Sequence, residues 1–397
     1  MSSNLNFIIL NIDAYPDYET RDMAGSMRVR NLFNPLIEKK GVSLSNLIML
    51  DLFGMEYNDH KQTTNKSVDC LSIGYRSAKY PLSVFRYFKK GIRFIKAHYK
   101  KDATNIVYNY QHPDIRNFLF LLYAKYKGFK IVLDIVEDKK HEDVKTLNDK
   151  IRRILSLFFM KLLPYYSDAI FVISNHLLKE LKGELGSRVP IYLLPISVDF
   201  KNIDNSNKGN KEVGLIKIFY GGSFGAKDGL NFLIEAIEIL KKSSYNFKLV
   251  MSGKTDPNQL EKFFSTIKSP ELIDYRGFLS FSEYFKLLGS VDICCMTRNN
   301  SAFANAGFPF KLGEFLAAGK LIVASRIGDV DKYLTHKENA YLVKPECTEE
   351  IVAGLQYYMD DLEILSETIG GRARGIAEKY FNAEVSSKFM FEKCQQL

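Results

Sequence analysis

Cysteine is sparse in this sequence and badly spaced for chemistry. Cys70, Cys294, Cys295, Cys347 and Cys394 make no CxxC and no Cys/His pair, which argues against a zinc ribbon or a dithiol redox centre. Adjacent Cys294 and Cys295, in the apolar run VDICCM, read as packed thiols of a cytoplasmic protein. HExxH, the full P-loop pattern GxxxxGK[ST] and GxGxxG are missing as well, so nothing points to a metalloprotease, a P-loop NTPase or a nicotinamide-dependent dehydrogenase. Long apolar runs are absent: residues 154–163, among the longest, contain Lys161 and are too short to span a bilayer. The N-terminus carries no basic segment and runs directly into a strand pattern, so no secretory leader is expected. No RNP-type aromatic motif, zinc finger, basic tail or internal repeat is present, and nucleic acid is not an expected partner.

What is there is an ordinary globular composition. The 397 residues, 46% hydrophobic and 25% charged, suggest about two domains with ample core. A net charge of +9 favours anionic partners such as phosphates or an anionic membrane surface.

Strand and helix patterns alternate along the chain. Residues 7–11 (FIILN) read as a central parallel strand, followed by a polar loop and a helix opening at Gly25, the start of a Rossmann-like domain. Gly25 would let backbone approach a ligand, and Arg28 or Arg30 would meet a phosphate; the plain alternative is solvated helix arginines. Strand–helix units follow at 105–110 with 114–126, at 130–135 with a helix from 148, and at 169–173 with 175–182. His112, in YQHP after a strand end, is either an acceptor-side base or binder, or a simple loop histidine. The helix 82–101 surrounds Phe85, Phe88, Ile92 and Ile95 with Lys89, Lys90, Arg93 and Lys96. It suits either contact with anionic lipid or a core-facing stripe with a solvated basic face. Arg152 and Arg153 before an apolar run form a second basic–apolar stretch. Residues 201–212, polar and Asn-rich, read as a linker and domain boundary.

The second half restarts with a strand at 216–220, the glycine-rich turn GGSFGAKDG at 221–229 and a helix at 230–241. The glycines allow close backbone approach, and Lys227 supplies charge to a phosphate without a metal. Strands at 248–252, 274–277 and 292–296 lead to FPFKLGEFLAAGKLIVAS at 308–325. There Pro309 suits the first helical position and Gly319 the residue past the helix end. Lys311 and Glu314, three apart, are neighbours on the helix. A helix N-terminus with a lysine attracts phosphate, and a carboxylate one turn in can accept hydrogen bonds from a sugar diol. The alternative is a surface ion pair. Asp329 and Asp331 imitate a metal-binding DxD but sit where an aspartate caps a helix.

Taken together these segments resemble retaining glycosyltransferases of the GT-B fold, family 4. SDAIFVISNH from Ser167 resembles the family's ADxVxxxS strand, LPISVD from Leu194 its xPNGVD turn, YGGSFGAKDG from Tyr220 its GRxxxxKG loop, and residues 308–325 its FPxKLxEYLAAGKPVVAS signature. The resemblance implies an α/β protein with two Rossmann-like domains facing a central cleft: residues 1–200 binding acceptor, residues 214–378 binding nucleotide-sugar, and a helix at 379–397 crossing back onto the first domain. It implies Lys227 and Lys311 on the donor diphosphate and Glu314 on the ribose hydroxyls. Gly221, Gly222, Ser223, Asn305, Gly307, Phe308 and Pro309 would surround the donor, with Gly277 and Phe278 near the base. Gly25, Arg28, His112 and Glu137 would face the acceptor. No metal and no cofactor is expected, the nucleotide-sugar being a substrate.

Two departures stand out. The first glutamate of the family's E-x7-E is Ala306, and the arginine of its GR…K pair is replaced by Gly222 or Ser223. The expected reaction is sugar transfer with retention to a saccharide or polyprenyl-diphosphate-linked acceptor in bacterial surface polysaccharide or lipopolysaccharide synthesis, at the cytoplasmic membrane face. The rivals are a nucleotide-sugar-binding partner that has lost transfer chemistry and a nucleotide-sugar 2-epimerase.

Overall fold

A computed structural model of the chain describes residues 4–10, 24–37, 39–51, 62–65, 68–75, 81–113, 115–138, 140, 147–206, 212, 214–222, 224–254 and 256–397. The chain divides into two compact units, Met1–Pro195 with Ala383–Leu397, and Ile196–Asn382.

The first unit holds strands β1 (Leu5–Leu10), β2 (Val42–Asp51), β3 (Gln62–Asn65), β4 (Val68–Tyr75), β5 (Thr104–Tyr110), β6 (Lys130–Ile135), β7 (Ala169–Val172) and β8 (Ile191–Leu193). They form one sheet in the order β3-β4-β2-β1-β5-β6-β7-β8. All pairings are parallel except the β3–β4 hairpin. The strands at its centre are buried on both faces, which is why FIIL and IVL are continuous apolar runs rather than alternating ones. Helices α1 (Ala24–Phe33), α2 (Pro81–Ala97), α3 (Ile115–Tyr126), α4 (Leu147–Lys161), α5 (Leu163–Tyr166) and α6 (Asn175–Leu185) connect them.

The second unit begins with α7 (Phe200–Ser206) and continues with β9 (Ile216–Gly221), α8 (Leu230–Leu240), β10 (Phe247–Ser252), α9 (Pro257–Ser265), β11 (Ile273–Tyr275), α10 (Phe281–Ser290) and β12 (Ile293–Met296). Then come α11 (Ala302–Ala306), α12 (Phe310–Ala317), β13 (Leu321–Ser325), α13 (Val330–Tyr333), β14 (Tyr341–Val343), α14 (Thr348–Asp360), α15 (Leu362–Leu365) and α16 (Gly371–Tyr380). Its sheet is wholly parallel, in the order β11-β10-β9-β12-β13-β14. Leu233 and Ile237 of α8, Leu249 of β10, Val323 of β13 and Leu355 of α14 meet in its core. Each such side chain contributes about 1.5–3 kcal/mol when fully buried. The last helix, α17 (Ala383–Gln395), belongs to the first unit, where it packs on α1.

Two expectations change, and α2 fits one of its two readings. The stretch read as a linker starts with a helix, α7, and the break between units falls earlier, at Pro195 and Ile196. Asp199 explains the helix: its carboxylate accepts from Lys201 N at 3.0 Å and from Asn202 Nδ2 at 2.8 Å, satisfying groups at the helix start. In α2 Tyr87, Phe94 and Ile95 are buried and Phe88 and Ile92 half-buried, while Phe85 is 69% exposed; Lys89, Arg93 and Lys96 are exposed, so the helix packs on the core with a solvated basic face. Asp329 precedes α13 without a side-chain bond to its amides and pairs with Lys332 at 2.8 Å, while Asp331 pairs with Arg326 at 2.5 Å.

Candidate functional site

In the second sheet the strand order reverses between β9 and β12, and the carboxyl ends of two such strands are where open parallel sheets take up ligands. The chain leaves β9 at Gly221 and enters a turn whose 3₁₀ segment Ala226–Asp228 carries Lys227. Asp228 closes this turn by accepting from Gly225 N at 3.2 Å. Gly229 follows at φ +58°, where a Cβ would overlap the Thr297 carbonyl oxygen, so only glycine fits. Lys227 Nζ stands 4.4 Å from the centre of the Phe303 ring of α11, a cation–π contact that orders its stem. A Cβ on Gly222 would collide with the Tyr220 hydroxyl. Ser223 lies outside the described residues.

The helix α12 is fixed at both ends. Pro309 is its N-cap, at φ −71° and ψ 111°, one position before the first helical residue expected for it. At the other end Gly319 takes φ +64°. Gly319 N donates to Leu316 O at 2.9 Å and Lys320 N to Phe315 O at 3.1 Å, the paired bonds of a Schellman cap. Buried Lys320 then donates to Gly289 O at 2.9 Å and Val291 O at 2.7 Å, closing carbonyls at the end of α10.

From the first turn of α12, Lys311 reaches the end of β9. Its Nζ lies 3.4 Å from the position a Cβ on Gly221 would take. Burial lowers its pKa below the ordinary lysine value and Arg298 pushes the same way; Glu314 and Asp228 oppose them without reversing the shift. Among the described residues Lys311 has no hydrogen-bond or ion-pair partner. A largely desolvated ammonium with carboxylates nearby but no direct ion pair is costly, and an anion at the mouth of β9 would offset that cost. Arg298, two residues past β12, stands with its Nε 4.0 Å from Asp228 Oδ1. One turn on, Glu314 accepts from Tyr284 Oη of α10 at 2.7 Å. Burial first, and then the charge of Glu314, hold the Tyr284 phenol well above its ordinary pKa, so it remains a donor. Gly277 and exposed Phe278 follow β11 at the same sheet edge, Gly277 O accepting from Gly253 N at 2.9 Å and Ser252 Oγ at 3.0 Å.

The structure thus brings Gly221, Gly222, Lys227, Lys311, Glu314, Gly277 and Phe278 to one edge of one sheet. Sequence reading missed Arg298 and Tyr284. Arg298 had a signal, a charge placed two residues past an apolar strand; Tyr284 looked like one more aromatic on an amphipathic helix. Other expected donor contacts serve the fold. Asn305 spends its amide on Asn300 Oδ1 and Ser301 O, both at 3.0 Å, and its Oδ1 on Gly328 N at 2.9 Å. Phe308 is buried against Tyr333 and Phe381, leaving only backbone at Gly307–Pro309 for a ligand.

In the first unit the expected acceptor residues are largely structural. Arg28 is fully buried, its Nε 2.7 Å and Nη2 2.8 Å from the two Asp134 carboxylate oxygens. It also donates to Leu194 O and Pro195 O, both at 2.8 Å, so four of its five N–H donors are committed inside the fold and the fully buried group is not placed to meet a substrate phosphate. Gly25 makes room for a protein ring, since a Cβ there would come within 2.5 Å of Tyr110 Cε1. His112 is buried and donates from Nε2 to the Glu137 carbonyl at 2.7 Å, pinning the loop after β6. Glu137 itself is half-buried on that loop.

Comparison with known proteins fits this geometry. Residues 201–374 match the family described as Glycosyl transferases group 1. An uncharacterised glycosyltransferase of Methanocaldococcus jannaschii is 24% identical over 165 residues, 41% of this chain; the matched stretch spans 40% of that relative's length. Sucrose-phosphate synthase from Thermosynechococcus elongatus superposes with a TM-score of 0.75 at 14% identity, covering 98% of each chain. Anabaena HepE in complex with UDP superposes with a TM-score of 0.66 at 11% identity, covering 99% of this chain and 100% of its own. At such identities the two structures speak to fold. The chain is a two-unit α/β protein of the GT-B fold, and residues 201–374, within its second unit, match the Glycosyl transferases group 1 family.

Proposed function

We propose that the protein transfers a sugar from a nucleoside-diphosphate sugar to a saccharide or lipid-linked saccharide acceptor with retention of anomeric configuration. The observation that carries this reading is Lys311: a desolvated ammonium beside Gly221, without a partner among the described residues. A diphosphate there would be met by Lys311, by Lys227 and by backbone at the start of α12, with no metal needed. Glu314, oriented by Tyr284, would take the ribose diol. The departing diphosphate oxygen would accept the acceptor's proton, so no protein nucleophile is required. UDP bound to HepE makes a uridine nucleotide the first donor to try.

The acceptor would be presented at an anionic membrane surface. Support comes from α4, not from the basic α2: Leu147, Ile151, Ile154 and Phe158 lie on one helical face and are 73%, 48%, 66% and 54% exposed. Leu119, Leu122 and Tyr126 of neighbouring α3 and Tyr165 of α5 extend the apolar surface. Lys150 and Lys161 are exposed on α4 itself. Apolar residues of this number in the open mark a contact surface, and the bordering lysines match lipid phosphate. This suits a polyprenyl-diphosphate-linked acceptor and surface polysaccharide synthesis.

The test is incubation with UDP-sugars and lipid-linked acceptors, following nucleoside diphosphate release and the anomeric configuration of product by NMR. An α-linked donor should give an α-linked product. Lys227→Ala and Glu314→Ala should each lower turnover at least about tenfold while melting normally. Inverted product, or near-normal rates in both variants, would refute the assignment.

A further inference from the structure

The first unit contains a cluster that the sugar-transfer reading does not use. We propose that Asp138, His176 and Glu180 bind a first-row divalent cation of the zinc class. Asp138 sits on the loop after β6, while His176 and Glu180, at i and i+4, share a face of α6 after β7. The site therefore lies at the carboxyl ends of two adjacent parallel strands.

His176 Nε2 is 3.6 Å from Asp138 Oδ2 and 3.7 Å from Glu180 Oε2, and the three ligand atoms lie within 4.8 Å of one another. Ligands at about 2.0–2.1 Å from a tetrahedral zinc stand roughly 3.3 Å apart, so small side-chain rotations would close the set. The outer oxygen of each carboxylate is already held. Asp138 Oδ1 accepts from Lys140 N at 2.8 Å, and Glu180 Oε1 from Lys140 Nζ at 2.6 Å. That is the outer-shell support which orients metal ligands, and it leaves Oδ2 and Oε2 aimed at the imidazole. The loop bearing Asp138 is further fixed by His112 through the Glu137 carbonyl.

Charge points the same way. Glu180 and Glu184 both pair with the ammonium of Lys140, and Asp138 adds a third carboxylate beside Glu180. With His176 neutral, as a ligand must be, this spot is negative within a protein of net charge +9. One imidazole and two carboxylates suit zinc, cobalt or manganese better than magnesium, which prefers water and oxygen alone. Three protein ligands leave coordination positions for water or an oxyanion.

The experiment is equilibrium dialysis of the full chain against ZnCl2, and separately MgCl2, with metal analysis and melting curves. Wild type should retain one zinc per chain and melt several degrees higher with zinc, with no comparable response to magnesium. His176→Ala, at an exposed position, should weaken zinc binding at least about tenfold without lowering the metal-free melting temperature. Glu180→Gln should do the same, and serves if the alanine variant misfolds. Failure of wild type to hold one zinc, or equal binding in the folded variants, would mean that His176 is only the middle of an ion-pair cluster and would overturn the proposal. Nucleotide binding is measured in parallel; it is independent of this outcome.

Discussion

Arg28 illustrates how one side chain's role depends on what lies beyond the sequence window. On α1 it reads as a surface arginine free to meet phosphate. In the fold it is the centre of a buried network in which Asp134 takes two of its donors, Tyr108 Oη donates to the same carboxylate at 2.6 Å, and Leu194 and Pro195 supply carbonyls. Removing one member of a buried pair leaves the other charged and unpaired, at a cost of about 3–5 kcal/mol. Arg28→Ala should therefore lower unfolding free energy by that order in urea titration. Full stability with a selective rise in acceptor KM would restore the substrate role.

At the scale of elements, α12 shows local chemistry serving the site. Its Schellman cap sets where the helix stops, and Lys320 ties that end to α10, the helix that presents Tyr284 to Glu314. Gly319→Ala, at φ +64°, should cost roughly 1 kcal/mol. Thermal melting would register it, and an unchanged melting temperature would show that the cap relaxes. This element was legible because Gly and Lys after an apolar run state the helix end directly. The strands around it were legible for the same reason, as continuous apolar runs. Strand β2 was not read: its interior places Ser45 and Asn46, both buried, between Leu44 and Leu47, breaking the apolar run that marks a central strand. The site was legible in its lysines and glutamate, which lie in compact local motifs. Arg298 and Tyr284 were not, because they join it through sheet order and helix packing.

For the whole molecule, two sheets, one mostly and one wholly parallel, each with its own core, explain how the family match can lie within the second unit while the fold extends over the entire chain. The first unit adds the apolar outer faces of α3 and α4. Ile154→Glu with Phe158→Glu should abolish sedimentation with vesicles containing anionic lipid and leave the melting temperature unchanged, because both residues are exposed. Vesicle binding unaffected by the pair would point to another occupant, a second copy included.

The central claim is that Lys311 waits, desolvated, for a diphosphate. Lysine with a folded pKa below its unfolded value destabilises the folded state while charged, and the penalty is relieved as pH rises through the folded pKa toward the ordinary value. A bound diphosphate reverses the preference. Calorimetric titration of UDP into wild type and Lys311→Met, repeated as pH is raised, tests this directly. The expected result is single-site binding in wild type that weakens with rising pH, and at least about tenfold weaker, pH-insensitive binding in a variant whose unliganded fold is no less stable. Equal affinity in the two proteins, or no nucleotide binding by wild type to UDP, GDP or CMP, would contradict it.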